Sequence, residues 1–322
     1  MKWPAIFSCP LKMMRPTLLL CFLLLLCVGT ACQQVDTRGE VPAGKRMRIV
    51  TTTGILKDAV ANIVGDAADV EAIMGSGVDP HLYKATQGDL NMLTEADVII
   101  YNGLHLEGKM GEVLEKLSRY KTVLPATAGI QKSRLLNSTE YENSHDPHVW
   151  FDVSLWMEVV VNLSTELQKK DPHNATVYQE HSSVYLRELS MLHNETRAAI
   201  ASIPEKQRIL ITAHDAFGYF GQAYGIEVRG LQGISTLSEF GLQDVSLLVR
   251  YIVANKIKAV FVESSVSPKA IEAVVQGCRK RGHTVRIGGT LYSDALGDDG
   301  TPEGTYVGMV RHNTKTIVSS LK

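Results

Sequence analysis

The sequence predicts an α/β fold of two lobes, each a four-stranded parallel sheet with flanking helices, joined by one long helix. Three observations carry that expectation. Short β-branched stretches alternate with stretches of helical periodicity, which is the pattern of parallel β-α units. Four such strand signals precede residue 130 and four follow residue 207. Between the two series lies a run from His173 to Ile203 with no Gly and no Pro.

The chain has 322 residues, enough for two medium domains. Hydrophobic content of 45% and charged content of 21% are ordinary for a globular protein. A formal net charge of -1 offers no electrostatic case for a nucleic-acid partner.

The N-terminus differs in kind. Lys2, Lys12 and Arg15 precede "LLLCFLLLLCV", an unbroken apolar run of 11 residues from Leu18 to Val28. A spanning helix needs about 20 residues, so this run fits the apolar region of a secretory signal instead. Small residues in "GTAC" then lead to Cys32, as in a bacterial lipobox, although Gly29 is atypical there. The expected layout is a signal peptide over 1–31 and a lipidated tether over 32–46, with Cys32 acylated. An ordinary signal cut near Ala31 is the alternative, and Met13 and Met14 offer other starts. Of five cysteines, Cys9, Cys21 and Cys27 leave with the signal, and acylated Cys32 would leave Cys278 alone. The mature body is therefore expected to hold no internal disulfide and no thiolate metal cluster. Several lipid chains anchor stably where one does not, so the membrane is engaged through the anchor alone.

The first lobe is expected over 47–171. "MRIVTTT" reads as a strand, and "GILKDAVANIVG" as a helix stopped by Gly65. "ADVEAIM", "DVIIYNG" and "KTVLPAT" are the next strands, interleaved with helices in "QGDLNMLTEA" and "GKMGEVLEKLSRY". Residues 131–145 form a polar loop ending in His145. "DVSLWMEVVVNLSTELQKK" is a strongly amphipathic helix with Asp152 as its cap. The linking helix is expected over 172–204, with Asp171 as N-cap, Pro172 at the first position and Pro204 at the stop. About 30 helical residues span roughly 45 Å, and a largely polar surface suits a helix bridging two lobes. The second lobe is expected over 205–322. Its strands are "RILITAH", "IEVRGL", "KAVFVES" and "HTVRIGG", and its closing helix is "EGTYVGMVRHNTKTIVSSL".

Ten histidines are present. His173, His181 and His193 fall on the linking helix, where solvated surface explains them. His283 and His312 read as surface or rim positions, His145 ends the polar loop, and His105 follows a strand end from which it could approach a cleft. His81, His148 and His214 stand apart, because each sits in or beside a loop at the carboxyl end of a strand. That is where open parallel sheets bind ligands. Two of them occur in nearly identical phrases, "DPHLY" and "DPHVW". Pro80 and Pro147 stiffen the backbone before each His, and Asp79 and Asp146 can accept nearby backbone N–H groups. Asp294, after the last strand, is the fourth candidate. Three imidazoles and a carboxylate form an N3O set that suits zinc, or manganese at higher coordination, and argues against soft metals.

The phrases "GVDPHLY", "DVIIYNGLHLEGKMGEV", "DPHVWFDV", "ITAHDAFGYF", "FVESSVSPKAIEA", "GGTLYSDALGD" and "EGTYVGMVRHN" together resemble the zinc/manganese-binding lipoproteins of ABC importers. The resemblance runs from Met47 to the C-terminus. It implies two four-stranded lobes on a rigid backbone helix, with one Zn(II) or Mn(II) per chain in the cleft between them. The family's four ligands match His81, His148, His214 and Asp294. The resemblance also implies a monomeric binding protein, not an enzyme, delivering metal to an ABC permease with a cytoplasmic ATPase. His at the third position is typical of zinc binders, whereas the long His-rich loop common in dedicated zinc binders is missing here.

Two other classes compete. A metallohydrolase would need an open coordination position and a base, for which Glu263 is the best placed. An adhesin-like surface lipoprotein finds support only in its exposure. The uninterrupted linking helix predicts a small rocking of the lobes rather than a wide hinge.

Overall fold

The computed structural model describes Met1, residues 45–138 and residues 144–322. The signal region and Cys32 lie outside the described residues. Internal contacts separate Met1–Arg38 from one compact unit, Gly39–Lys322, and the architecture below is that of the second unit.

The first half opens with β1 (Met47–Thr53), which is buried along almost its whole length. A parallel strand covered on both faces has this character, because helices shield both sides. Thr53 ends β1 and caps α1 (Gly54–Val64) by accepting the Leu56 N–H through its side chain. Gly65, at φ 52°, stops the helix where a side chain would be strained. There follow β2 (Ala68–Met74), α2 (Gln87–Glu95), β3 (Val98–Tyr101), α3 (Gly111–Ser118) and β4 (Thr122–Pro125). The four strands form one parallel sheet in the order β2-β1-β3-β4. Its faces have separate cores: Val50 and Ile99 pack with Leu93 and Leu114, while Ile49 and Ile100 join the main core of the molecule.

Helix α4 (Val153–Lys170) starts at Asp152, whose carboxylate accepts the Ser154 N–H as expected of a cap. After a short 3-10 turn at Pro172–Asn174, α5 (Ala175–Ala201) runs 27 residues, roughly 40 Å at 1.5 Å per residue. Asp171 does cap this start, accepting the Asn174 N–H. The helix is less uniformly polar than its composition suggests. Tyr178, Ser182, Tyr185, Leu189, Leu192, Thr196 and Ile200 make one buried stripe at spacings of three and four.

The second half contains β5 (Ile209–His214), α6 (Gly218–Tyr224), β6 (Glu227–Gln232), α7 (Leu242–Ala254), β7 (Ala259–Glu263), α8 (Lys269–Lys280), β8 (Arg286–Leu291) and α9 (Tyr306–Leu321). All four expected strands are present and parallel, but as two hydrogen-bonded pairs, β5-β6 and β7-β8. Part of the reason lies where β5 runs beside β7. The N–H groups of Ala213 and His214 donate to the Glu263 carboxylate, at 2.7 and 2.9 Å, in place of a neighbouring carbonyl. α5 packs against α1 and α4 of the first half and against α6 and α9 of the second. Trp156 on α4 stacks on Tyr306 of α9, so the main core is continuous across both halves.

Candidate metal centre

Four loops at strand carboxyl ends converge on one point. His81 lies between β2 and α2, His148 beyond β4, His214 at the end of β5 and Asp294 beyond β8. All four side chains are at most 2% exposed. Each offers one ligand atom to a group lying within 4.8 Å of one another.

The two DPH phrases use the same backbone device. Asp79 accepts the His81 N–H at 2.9 Å, and Asp146 accepts the His148 N–H at 2.9 Å. Beyond that they differ. Asp146 also lies 2.7 Å from His148 Nδ1, so it holds the ring as well as the backbone. Asp79 instead accepts from the Thr236 hydroxyl in the second half, at 2.6 Å. The aromatic residues diverge too. Tyr83 donates to Asp89 at the start of α2, whereas the Trp150 indole donates to the Ser293 carbonyl beside Asp294.

His214 is held by Glu263, whose Oε2 lies 2.6 Å from His214 Nδ1. A carboxylate on Nδ1 keeps a proton there, so that on metal binding it is the inward Nε2 that gives up its proton and offers a lone pair. The Asp294 loop is fixed by Asn313 of α9, which donates to the Tyr292 carbonyl and accepts the Tyr292 N–H. The His148 loop is fixed by Asn102, which donates to the Pro147 carbonyl, and by Tyr219, which donates to the Asp146 carbonyl. Asn102, Tyr219, Asn313 and Thr236 were not singled out from the sequence. They are ordinary polar residues there, and only contacts 21 to 157 positions away give them a role.

The inward atoms sit at metal-cage spacing. His81 Nε2 and His148 Nε2 are 3.3 Å apart. The Asp294 oxygens lie 3.3 Å from His214 Nε2, 3.5 Å from His148 Nε2 and 3.8 Å from His81 Nε2. Zinc bonds of about 2.0–2.1 Å in a tetrahedron imply donor separations of about 3.3–3.4 Å. His214 Nε2 and both Asp294 oxygens are buried without a hydrogen-bond partner among the described residues. Such orphaned atoms are costly unless a cation satisfies them. The site could hold one metal ion.

Its electrostatics are divided. Burial pushes the His81 pKa down to about 3, with Asp294 opposing and the other two imidazoles assisting. Burial opposes charge on His214 as well, but the carboxylates of Glu263 and Asp294 outweigh it and hold its pKa well above the ordinary value. Burial would raise the Asp294 pKa, yet the imidazoles of His214, His148 and His81 overcome it and keep the carboxylate ionised.

The other histidines do not join this point. His105 is exposed in a turn at φ 65°. His145 forms an isolated bridge with Asn137, and His283 meets the Ile257 carbonyl. His312 approaches Thr290 and Glu303, and His193 lies between Tyr224 and Arg197.

Residues 49–320 match the family model of the periplasmic component A of the zinc-uptake complex. The chain belongs to this family. Within the zinc-uptake component A family, it is 49% identical over 287 residues to the manganese-binding lipoprotein MntA of Bacillus subtilis, covering 89% of this chain and 93% of the relative. It is 47% identical over 282 residues to the zinc-binding protein TroA of Treponema pallidum, covering 88% and 91%. The solved structure of that TroA superposes with a TM-score of 0.84 over 86% of this chain and 99% of that one. A component A protein is a binding component, not an enzyme. The site agrees, because Glu263, the base a hydrolase would use, is already committed to Ala213 and His214.

Proposed function

We propose that this protein captures Zn(II) or Mn(II) outside the cytoplasm, one ion per chain, through His81, His148, His214 and Asp294, and hands it to an ABC permease driven by a cytoplasmic ATPase. The observation that carries this reading is the buried N3O cage, whose atoms are spaced for a first-row ion and whose His214 Nε2 and Asp294 oxygens lack a hydrogen-bond partner among the described residues. Four protein ligands close the sphere of a tetrahedral ion, which suits retention and handover rather than catalysis. The donor set accepts either metal, and relatives named for each lie at 49% and 47% identity.

The body acts as a monomer tethered through acylated Cys32, with 47–171 and 205–322 as the lobes and 172–204 as the rigid link. No helix among the described residues is long and apolar enough to cross a membrane. Titration of Zn(II) into metal-stripped wild type and His148→Ala tests the ligand assignment; equal affinities would overturn it. Growth of a deletion strain rescued by Mn(II) or by Zn(II), with cell metal content measured, identifies the physiological ion. Labelling with a radioactive fatty acid that is lost in Cys32→Ala tests the anchor.

A further inference from the structure

The three imidazoles are not held alike. His148 and His214 each have a carboxylate at Nδ1, from Asp146 and Glu263. Among the described residues no carboxylate lies within ion-pair distance of His81 Nδ1; its only such contact is the 3.8 Å approach of its Nε2 to Asp294. His81 is held through its backbone N–H, bonded to Asp79. It also lies nearest to solvent. Leu82, the residue after it, is 49% exposed, whereas Val149 and Ala295, after His148 and Asp294, are at most 3% exposed, and Asp215, after His214, is half-buried.

The turn that presents His81 is secured from the opposite half. Asp79 Oδ1 takes the His81 N–H, and Asp79 Oδ2 takes the Thr236 hydroxyl at 2.6 Å. Thr236 is itself 8% exposed and stands in the loop between β6 and α7. Gln232 braces that loop, donating its amide to the carbonyls of Thr236 and Ser238 at 2.9 and 2.7 Å. Gln232 ends β6 directly opposite His214 in the strand register. A chain of contacts thus runs from His214 through Gln232, Thr236 and Asp79 to His81, across the cleft. Beside it, Leu237 reaches the first half, 3.8 Å from where a Cβ on Gly108 would stand.

We propose that Thr236 is a positioning residue for metal retention: its hydroxyl, bonded to Asp79 across the cleft, locks the turn holding His81 over the ion. Breaking this one bond frees the outermost ligand and begins release, while His148, His214 and Asp294 stay braced within their loops. The inference rests on the binding function proposed above. A hydroxyl donating to a carboxylate is among the stronger hydrogen bonds, and its loss in a buried place leaves the acceptor unsatisfied.

The test measures Zn(II) release from the loaded full chain into excess chelator by stopped flow, in wild type, Thr236→Val and Thr236→Ser. Valine keeps the shape and removes the hydroxyl; serine keeps the hydroxyl. Release from T236V is expected to be about 10-fold faster, with T236S within about twofold of wild type and the capture rate little changed. In an Asp79→Ala background the T236V change should add nothing, because the hydroxyl acts through that carboxylate. Wild-type protein that holds zinc but releases it no more slowly than T236V would overturn the latch alone. Acceleration of equal size in T236S, or full additivity with Asp79→Ala, would also overturn it. Wild-type protein that holds no zinc would overturn the binding function, and the latch with it.

Discussion

Glu263→Gln separates the charge behind His214 from its shape. In wild type, Glu263 Oε1 accepts two backbone N–H groups at 2.7 and 2.9 Å, and Oε2 faces His214 Nδ1 at 2.6 Å. Glutamine has the same size, and its carbonyl can still take both backbone groups. Its NH2 then points at Nδ1, which must become an acceptor, and the ring proton moves to Nε2. That tautomer offers the metal an N–H instead of a lone pair. Loss of such a carboxylate partner typically lowers metal affinity by about 10–100-fold, or about 1.4–2.7 kcal/mol. A second consequence opposes the first. Glu263 helps hold the His214 pKa well above its ordinary value, so its removal also relieves proton competition. The affinity deficit of E263Q should therefore be largest near pH 8 and shrink toward pH 6. Competition titration with a zinc chelator at both values, together with thermal melting of the metal-free proteins, is the assay. Melting should change little, since the backbone acceptor survives. Wild-type affinity in E263Q at pH 8 would refute the tautomer reasoning.

Three further outcomes follow from the same structure. Metal binding near pH 6.5 should displace the proton that the raised pKa holds on His214, whereas His81, lowered to about 3, has none to give. Calorimetry in buffers of different ionisation enthalpy reads this directly, and zero proton release at pH 6.5 would contradict it. Asp58, which accepts the Tyr306 N–H of α9 and the Tyr185 hydroxyl, has its pKa pushed by burial to about 6. A carboxyl with a raised folded-state pKa contributes stability below its unfolded value and loses it as pH rises through the folded value. Asp58→Asn should thus gain on wild type by at most about 3 kcal/mol between pH 4 and 7, read by urea unfolding; a constant difference would be a failure. Finally, a Cβ at Gly230 would lie 2.5 Å from the Asp215 nitrogen and 2.7 Å from the His214 carbonyl carbon. Gly230→Ala must shift the strand end that carries His214, so it should lower both the melting temperature and zinc affinity. A variant that melts earlier but binds zinc normally would show that the shift is absorbed elsewhere.

Much of the architecture is legible in the sequence. Short β-branched strands, helical periodicity, Gly65 at a helix end and Asp152 and Asp171 as caps are local signals, and local physics decides them. The buried stripe of α5 was less legible, because Tyr178, Ser182, Tyr185 and Thr196 do not read as apolar. Their burial depends on what packs against them. The split between β5 and β7 was not legible either, since part of it turns on one side chain, Glu263, occupying backbone donors about 50 residues away.

The sequence by itself determined which side chains could carry the chemistry and how each is presented. Asp-Pro-His is a self-contained device, and its Asx hydrogen bond forms within three residues in both copies. What only the tertiary structure decided is how the copies differ. Asp146 turns back onto its own imidazole, while Asp79 reaches a threonine 157 positions away on the facing wall. The physical reason is that a carboxylate has two oxygens. In both copies Oδ1 satisfies the local turn that sequence spacing dictates; in Asp146 that same oxygen also meets the imidazole Nδ1, whereas in Asp79 it is Oδ2 that bonds to what the fold brings within reach.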